Sequence, residues 1–227
     1  QDLRRIMSEL EQACDELQIE ILGGHTEVSD AVNRPVITVT GVGKVARGDL
    51  LSTGGMQPGD ELVMTKWAGL EGSAIIAAEK RDVLEQTLPA HLIDTAESFL
   101  KHISVVPEAK IAMQHGVHAM HDVTEGGIFG ALWEMGAASG VGIIADLDKI
   151  PIRQETIELC EVFDINPYLL ISSGCMLIGC ENGNLLVERL QEAGIPAAVI
   201  GRATEGNDRV IRSGEETRFL EPAGSDE

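Results

Sequence analysis

The residues with the clearest chemical potential fall in two short stretches, each built around a glycine pair: Ile21-Leu-Gly-Gly-His-Thr-Glu27 and Met120-His-Asp-Val-Thr-Glu-Gly-Gly-Ile128. In the first, Gly23 and Gly24 close an apolar run, and His25, Thr26 and Glu27 then offer an imidazole, a hydroxyl and a carboxylate. Two residues without a Cβ let a backbone come close to a ligand. Glu27 could hold Mg2+ and Thr26 could hydrogen-bond a phosphate oxygen; a plain turn at a strand end is the alternative. In the second stretch, Asp122 and Thr124 stand at the exit of an apolar strand, ahead of Gly126-Gly127 and a helix. A strand, a glycine turn and a helix start can present free N–H groups and the positive end of the helix dipole to an anion. Asp122 adds a carboxylate for a cation. The alternative here is that Thr124 or Glu125 merely caps the helix.

Other reactive side chains carry less. His115, His118 and His121 recur every third residue. On a strand, however, His118 and His121 point to opposite faces, which argues against a zinc site. Cys14, Cys160, Cys175 and Cys180 show no metal-binding spacing, so free thiols in a reducing cytoplasm are expected. Cys175 and Cys180 flank apolar residues and read as buried. Lys66 and Trp67 follow a strand, where they could touch a substrate or, for Trp67, cover the core.

The elements that must position these groups alternate. A helix is expected over Asp2–Gln18, with short strands at Ile19–Leu22 and Pro35–Val45. That piece is too small to enclose a core and looks like half of a domain. The Gly54-Gly55 and Pro58-Gly59-Asp60 turns place a domain junction near Gly48, dividing the chain into 1–47 and 48–227. Beyond it the pattern predicts strands at Glu61–Thr65, Val117–Val123, Gly142–Asp146, Cys175–Cys180 and Ala197–Ile200. Helices are predicted from Leu70 and over Pro89–Ile103, Glu108–His115, Gly126–Ser139, Gln154–Phe163 and Gly183–Glu192, and a hairpin closes around Ser213-Gly214. This is an α+β pattern with a mixed sheet and packed helices. Ala223–Glu227 reads as a frayed tail.

The 227 residues are 44% hydrophobic but only 3% aromatic, so the core must be built from Val, Ile, Leu, Ala and Met. A formal charge of −20 and scarce aromatics argue against nucleic acid. The longest apolar stretch, Tyr168–Cys180, is too short and too interrupted to span a membrane.

The two glycine motifs resemble those of the superfamily of AIR synthase, selenophosphate synthetase, thiamine-monophosphate kinase and the hydrogenase-maturation protein HypE. The first is similar to the Gly-Gly-[Asp/Glu/His]-[Thr/Ser] signature near the end of the N-terminal ATP-binding domain, and Val36–Gly43 to the strand that follows it. His25 stands where most relatives carry an acid. The second is similar to Asp-Pro-Thr-Arg-Gly-Gly of HypE, with Glu125 in place of Arg. Phe163–Leu170 leading to Ser173-Gly174 resembles HypE's Leu-Asp-Pro-Leu-Tyr-Leu-Ala-Asn-Glu-Gly, with Ser172-Ser173 in place of Asn-Glu. The resemblance implies the C-terminal domain of that fold preceded by the last helix and two strands of the N-terminal one, in a chain lacking a large N-terminal part.

It further implies an ATP- and Mg2+-dependent protein that phosphorylates a small acceptor or a carbonyl-like oxygen on a small or protein-borne substrate. Such a protein would be cytoplasmic and a homodimer at full length. Asp122, Thr124, Gly126 and Gly127 would hold phosphate or substrate, and Gly23, Gly24, His25, Thr26 and Glu27 the nucleotide, with Glu27 and Asp122 as metal ligands. The stretch Glu221–Glu227 lacks the cysteine on which HypE carries its substrate, so thiocyanate chemistry by that route is not expected. Nor is ATPase activity from this polypeptide alone. A non-catalytic relative of the same fold is the competing expectation.

Overall fold

The computed structural model describes residues 2–222. The chain divides into two compact units, Gln1–Asp49 and Leu50–Glu227.

In the first unit, helix α1 (Asp2–Leu17) ends at Gln18, which takes the left-handed conformation at φ 58°. The Gln18 N–H donates to Asp15 O and the Ile19 N–H to Cys14 O, so the last carbonyls of the helix are satisfied. Beyond it, residues 19–49 form no helix or strand. The strands expected over Ile19–Leu22 and Pro35–Val45 are therefore absent. A strand exists only when a neighbour takes up its N–H and C=O groups, and this unit offers none. No residue between 3 and 49 is buried, and Val28, Val36, Val39 and Val42 are largely exposed.

The second unit is a seven-stranded mixed sheet with helices on both faces. Its strands are β1 (Glu61–Thr65), β2 (Val117–Asp122), β3 (Gly142–Asp146), β4 (Met176–Cys180), β5 (Ala197–Thr204), β6 (Arg209–Ser213) and β7 (Glu216–Phe219). Their order across the sheet is β2-β4-β1-β5-β3-β6-β7, and every neighbouring pair is antiparallel except β3 and β6. The helices are α2 (Leu70–Glu79), α3 (Arg81–Leu84), α4 (Ala90–Glu97), α5 (Val106–Ala112), α6 (Gly127–Ser139), α7 (Gln154–Phe163) and α8 (Gly183–Glu192).

Alternation along the strands builds two cores. Leu62 and Met64 of β1, Leu177 of β4, Ile143 of β3 and Ile200 of β5 pack against α2, α4, α6 and α7. Val63, Ile178 and Cys180 point the other way, to Ala112 of α5 and Leu186 and Leu190 of α8. The largest fully buried side chains are all Leu, Ile or Met. Each contributes about 1.5–3 kcal/mol by leaving water.

Two strands depart from regular pairing. β5 gains a residue opposite Leu62/Val63 of β1, which bulges the strand at Ile200-Gly201. β2 gains one at His118, between partners Cys180 and Gly179. β5 runs on to Thr204, beyond the end expected at Ile200, because β3 extends the ladder as far as Gly142↔Thr204. Among the described residues no helix is long and apolar enough to cross a membrane.

Candidate functional site

The second glycine motif is a corner between strand β2 and helix α6. Asp122 ends β2 opposite Met176 of β4, and the next residue continues the pairing with Val123 N–H donating to Cys175 O at 3.1 Å. The chain then turns. Gly127 N–H donates to Thr124 O at 3.1 Å, and Gly126 and Gly127 adopt φ of 74° and 59°, a region that favours glycine.

Gly127 is also a contact point. A Cβ there would stand 2.5 Å from Tyr168 O, 2.7 Å from Leu169 C and 2.8 Å from Leu170 O. Phe129 N–H donates to Tyr168 O at 3.2 Å, and the Phe129 and Tyr168 rings stack with centroids 5.3 Å apart. The N–H groups of Gly127 and Phe129 are thus spent inside the protein, leaving an anion fewer donors than a bare helix start offers.

No side chain caps α6, so the capping role open to Thr124 or Glu125 is not taken. Asp122 is exposed and Thr124 half-buried. Neither side chain has a hydrogen-bond or ion-pair partner among the described residues. At the Glu125-Gly126 turn opens a cleft of about 680 Å³, lined by Glu125, Gly126, Ile165, Asn166 and Leu169–Ile171. Asp122 and Thr124 precede this lining in the chain and are not part of it. A carboxylate and a hydroxyl without protein partners at such a corner are groups that can receive a cation and a phosphate. The carboxylate of Glu125 opposes an anion arriving without a cation.

The cleft wall is held from behind by groups that sequence reasoning assigned otherwise. Ser172 is fully buried. Its Oγ accepts from Gly69 N–H at 2.7 Å and donates to Leu170 O at 2.7 Å. Where the family resemblance suggested a lost site residue, the side chain fastens the wall to the start of α2. Lys66, at φ 55° and buried, donates to His102 O, Ser104 O and Gly174 O at 2.7, 2.8 and 2.9 Å. Its ammonium is fully committed and does not reach a substrate.

Glu108 Oε1 lies 2.6 Å from that ammonium in a fully buried ion pair. Neither Glu108 oxygen receives a directed hydrogen bond, because the three ammonium protons already point at carbonyls. Trp67 covers the core, edge-on to Phe99. Cys175 Sγ–H donates to Trp67 O at 2.6 Å. Nothing in the spacing of Lys66, Glu108 and Ser172 announces this clamp, since its members come from three distant segments.

Burial sets the thiols apart from reactive ones. Removal from water pushes Cys175 up to about 12 and Cys160 and Cys180 up to about 11. His118 and His121 have separate partners, and the bulge at His118 interrupts the alternation between them. His118 Nδ1 is bonded to both oxygens of buried Asp60 at 2.9 and 3.0 Å. His121 bridges Thr53 Oγ1 at 3.0 Å and Glu134 Oε2 at 2.8 Å.

The first motif lies in the Gln1–Asp49 unit and is open. Gly23 and Gly24 have no atom near the position of a Cβ. His25, Thr26 and Glu27 are exposed, with His25 Nε2 3.9 Å from Glu27 Oε2. Among the described residues no three His, Cys, Asp or Glu side chains come together as a metal site. A magnesium ion that arrives with phosphates needs only one or two protein carboxylates, and the unpartnered Asp122 fits that need.

Comparison with known proteins agrees with this architecture. The model for the AIR synthase related protein C-terminal domain matches residues 57–213, and the N-terminal domain model matches residues 1–45. A putative hydrogenase expression/formation protein of Methanocaldococcus jannaschii is 29% identical over 215 residues, covering 93% of this chain and 62% of its own length. A carbamoyl dehydratase HypE of Rhodobacter capsulatus is 26% identical over 216 residues, covering 92% of this chain and 61% of its own. The chain thus spans about three fifths of these relatives. A crystal structure of the hydrogenase maturation protein HypE in complex with ATP superimposes with a TM-score of 0.60 at 16% identity, over 80% of this chain and 56% of that one. With both domain models matched in order, and the sheet and glycine corner in place, the chain belongs to the AIR synthase related superfamily, on its HypE-like side.

Proposed function

We propose that this chain is part of an ATP- and Mg2+-dependent, HypE-like protein that activates a small acceptor or a carbonyl-like oxygen by phosphorylation. The observation that carries the reading is the β2–α6 corner, where Asp122 and Thr124 stand without protein partners among the described residues and Glu125 and Gly126 line a cleft of about 680 Å³. The likeness to a HypE in complex with ATP supports the nucleotide. Relatives named carbamoyl dehydratase support an amide carbonyl, small or protein-borne, as the oxygen acted on. A relative named for hydrogenase expression/formation supports a part in hydrogenase maturation; a cytoplasmic location and a homodimer at full length belong to the same proposal.

When bound, the magnesium nucleotide supplies the phosphoryl group that makes such an oxygen a leaving group. This chain's residues bind and orient. The Thr124 hydroxyl donates to a phosphate oxygen, and Asp122 gives the cation a protein ligand. Gly126, on the cleft lining, keeps the backbone bare so that phosphate can approach, and Gly127 lets the corner pack against Tyr168–Leu170. Ile165 and Leu169 hold water away from the reacting oxygen, which strengthens every charge contact there. Within the Gln1–Asp49 unit, Gly23, Gly24, His25, Thr26 and Glu27 offer a bare backbone, a hydroxyl and a carboxylate suited to a nucleotide's phosphates. Positioning and charge neutralisation, rather than covalent chemistry, carry the rate.

Glu125, on the cleft lining where HypE carries Arg, favours a second reading, a non-catalytic binding or scaffold relative of the same fold that no longer takes nucleotide. Calorimetric titration of the longer protein with a non-hydrolysable ATP analogue, with and without Mg2+, tests both. Metal-dependent binding that Asp122→Ala weakens about tenfold or more supports phosphoryl transfer. Nucleotide binding under neither condition overturns it in favour of the second reading.

A further inference from the structure

A second depression, of about 430 Å³, lies away from the glycine corner on the opposite side of the sheet, and its charged lining is Glu61, Asp146, Lys149, Arg202 and Arg212. The strand register explains why these side chains converge. Arg202 of β5 is opposite Ile144 of β3, and Arg212 of β6 is opposite Asp146 of β3. Ile144 and Asp146 are two apart on one strand, so all four side chains leave the same face. The two arginines therefore flank β3 with backbones about 12 Å apart, two strand spacings across the sheet and two residues along it, within reach of a shared small ligand. The floor is backbone at the β5 bulge, where Gly201 lies so close to β3 that a Cβ would meet Ile144 O at 2.3 Å.

The charges do not cancel locally. Glu61 Oε2 accepts from Gly183 N–H at 2.7 Å, and Asp146 Oδ2 sits 2.6 Å from Lys149 Nζ. Both acids stand in register with arginines, Glu61 opposite Arg202 and Asp146 opposite Arg212, but three bases against two acids leave the lining with one net positive charge. Among the described residues neither arginine is within ion-pair distance of an acid. In the Leu50–Glu227 unit, Arg81, Arg153 and Arg189 are ion-paired, Arg209 lies over Trp133, and Arg218 on β7 has no side-chain partner among the described residues but is opposite Ile211, not Arg212. Among the described residues Arg202 and Arg212 have no side-chain partner, although acids outnumber bases 37 to 17 in the chain. Two neighbouring unpaired guanidiniums repel each other until an anion joins them. Their planar forks suit phosphate, which they can grip with paired N–H donors.

The geometry points to a second ligand site here, for a small phosphate-bearing molecule, distinct from the β2–α6 corner and independent of its function. The ligand is small because the depression has the size of a metabolite pocket. A chain of net charge −20 also repels nucleic acid and anionic membrane at longer range.

Inorganic pyrophosphate titrated calorimetrically into the 227-residue chain at low ionic strength tests the site. The expected result is saturable 1:1 binding that weakens with added salt and falls about tenfold or more in Arg202→Gln/Arg212→Gln. Arg202→Lys/Arg212→Lys should retain an intermediate affinity, because charge survives without the fork. Both arginines are exposed, so melting temperatures measured alongside should not move. Three outcomes overturn the proposal: no saturable binding at millimolar pyrophosphate, binding that Arg202→Gln/Arg212→Gln leaves intact, or binding lost in Thr124→Ala instead.

Discussion

The two glycine pairs look alike in the sequence and differ physically. Gly23-Gly24 has nothing within contact of either Cβ position, and the His25, Thr26 and Glu27 side chains next to it stand in water. Gly127 is pressed against the backbone of Tyr168–Leu170, and both Gly126 and Gly127 have positive φ. A glycine pair therefore marks a permission rather than a structure. Packing that uses the missing Cβ separates the two motifs: Gly127 has it, as Gly54 and Gly55 do against Ala138 and His118, and Gly23-Gly24 does not. The same contrast runs through the two units, one without a buried residue between 3 and 49 and the other with two cores.

Thiol labelling should show the largest difference between the two regions. Cys14, half-exposed on α1, should react with a soluble disulfide reagent at pH 8 under native conditions. Cys160 and Cys180 are pushed up to about 11 and Cys175 to about 12 by burial. Each unit removes about tenfold of the thiolate, so ionisation alone slows them about a hundredfold or more. Equal labelling of all four before denaturation would erase the contrast between the units.

The next effect is on stability, measured by denaturant unfolding. The wall that Gly127 touches is tied through Gly174 and Ser172 to the Lys66 clamp. Lys66→Met leaves Glu108 as an unpaired buried carboxylate and should cost about 3–5 kcal/mol. Adding Glu108→Met should recover much of that loss, because the stranded charge is gone. If the single substitution cost no more than a surface change, the wall would not depend on the clamp.

How much of this could be read beforehand depends on the same physics. The strands and helices of residues 61–213 were legible because period-2 and period-3.6 patterns coincide with glycine and proline punctuation. Asp122, Thr124 and Gly126-Gly127 were legible as a corner because strand, turn and helix are contiguous there. The strands over Ile19–Leu22 and Pro35–Val45 were misread because β-branched composition states a preference that only a neighbouring strand can realise. Lys66, misplaced at a substrate, and the structural bond of Ser172 were illegible for another reason. The carbonyls that Lys66 holds lie 36 to 108 residues away and the Gly69 N–H that Ser172 accepts lies 103 away, and no local pattern reports a contact of that span. The Arg202–Arg212 pairing was likewise hidden until the register of β3 brought the strands side by side.

The smallest effects come from placing the same methyl group in each glycine turn. Gly127→Ala must accept a Cβ at positive φ and 2.5 Å from Tyr168 O. Backbone strain and overpacking together should cost about 2–4 kcal/mol and loosen the Phe129–Tyr168 stack. Gly24→Ala meets no atom and has no positive φ to oppose, so its cost should stay within about 0.5 kcal/mol. Thermal unfolding of the two variants side by side measures the difference directly. A large loss in Gly24→Ala would mean that the first turn packs as the second does, and the contrast between the two motifs would fail. A null result there with weakened nucleotide binding in the longer protein would sharpen it, because a glycine the chain does not need for packing would be one that a ligand needs bare.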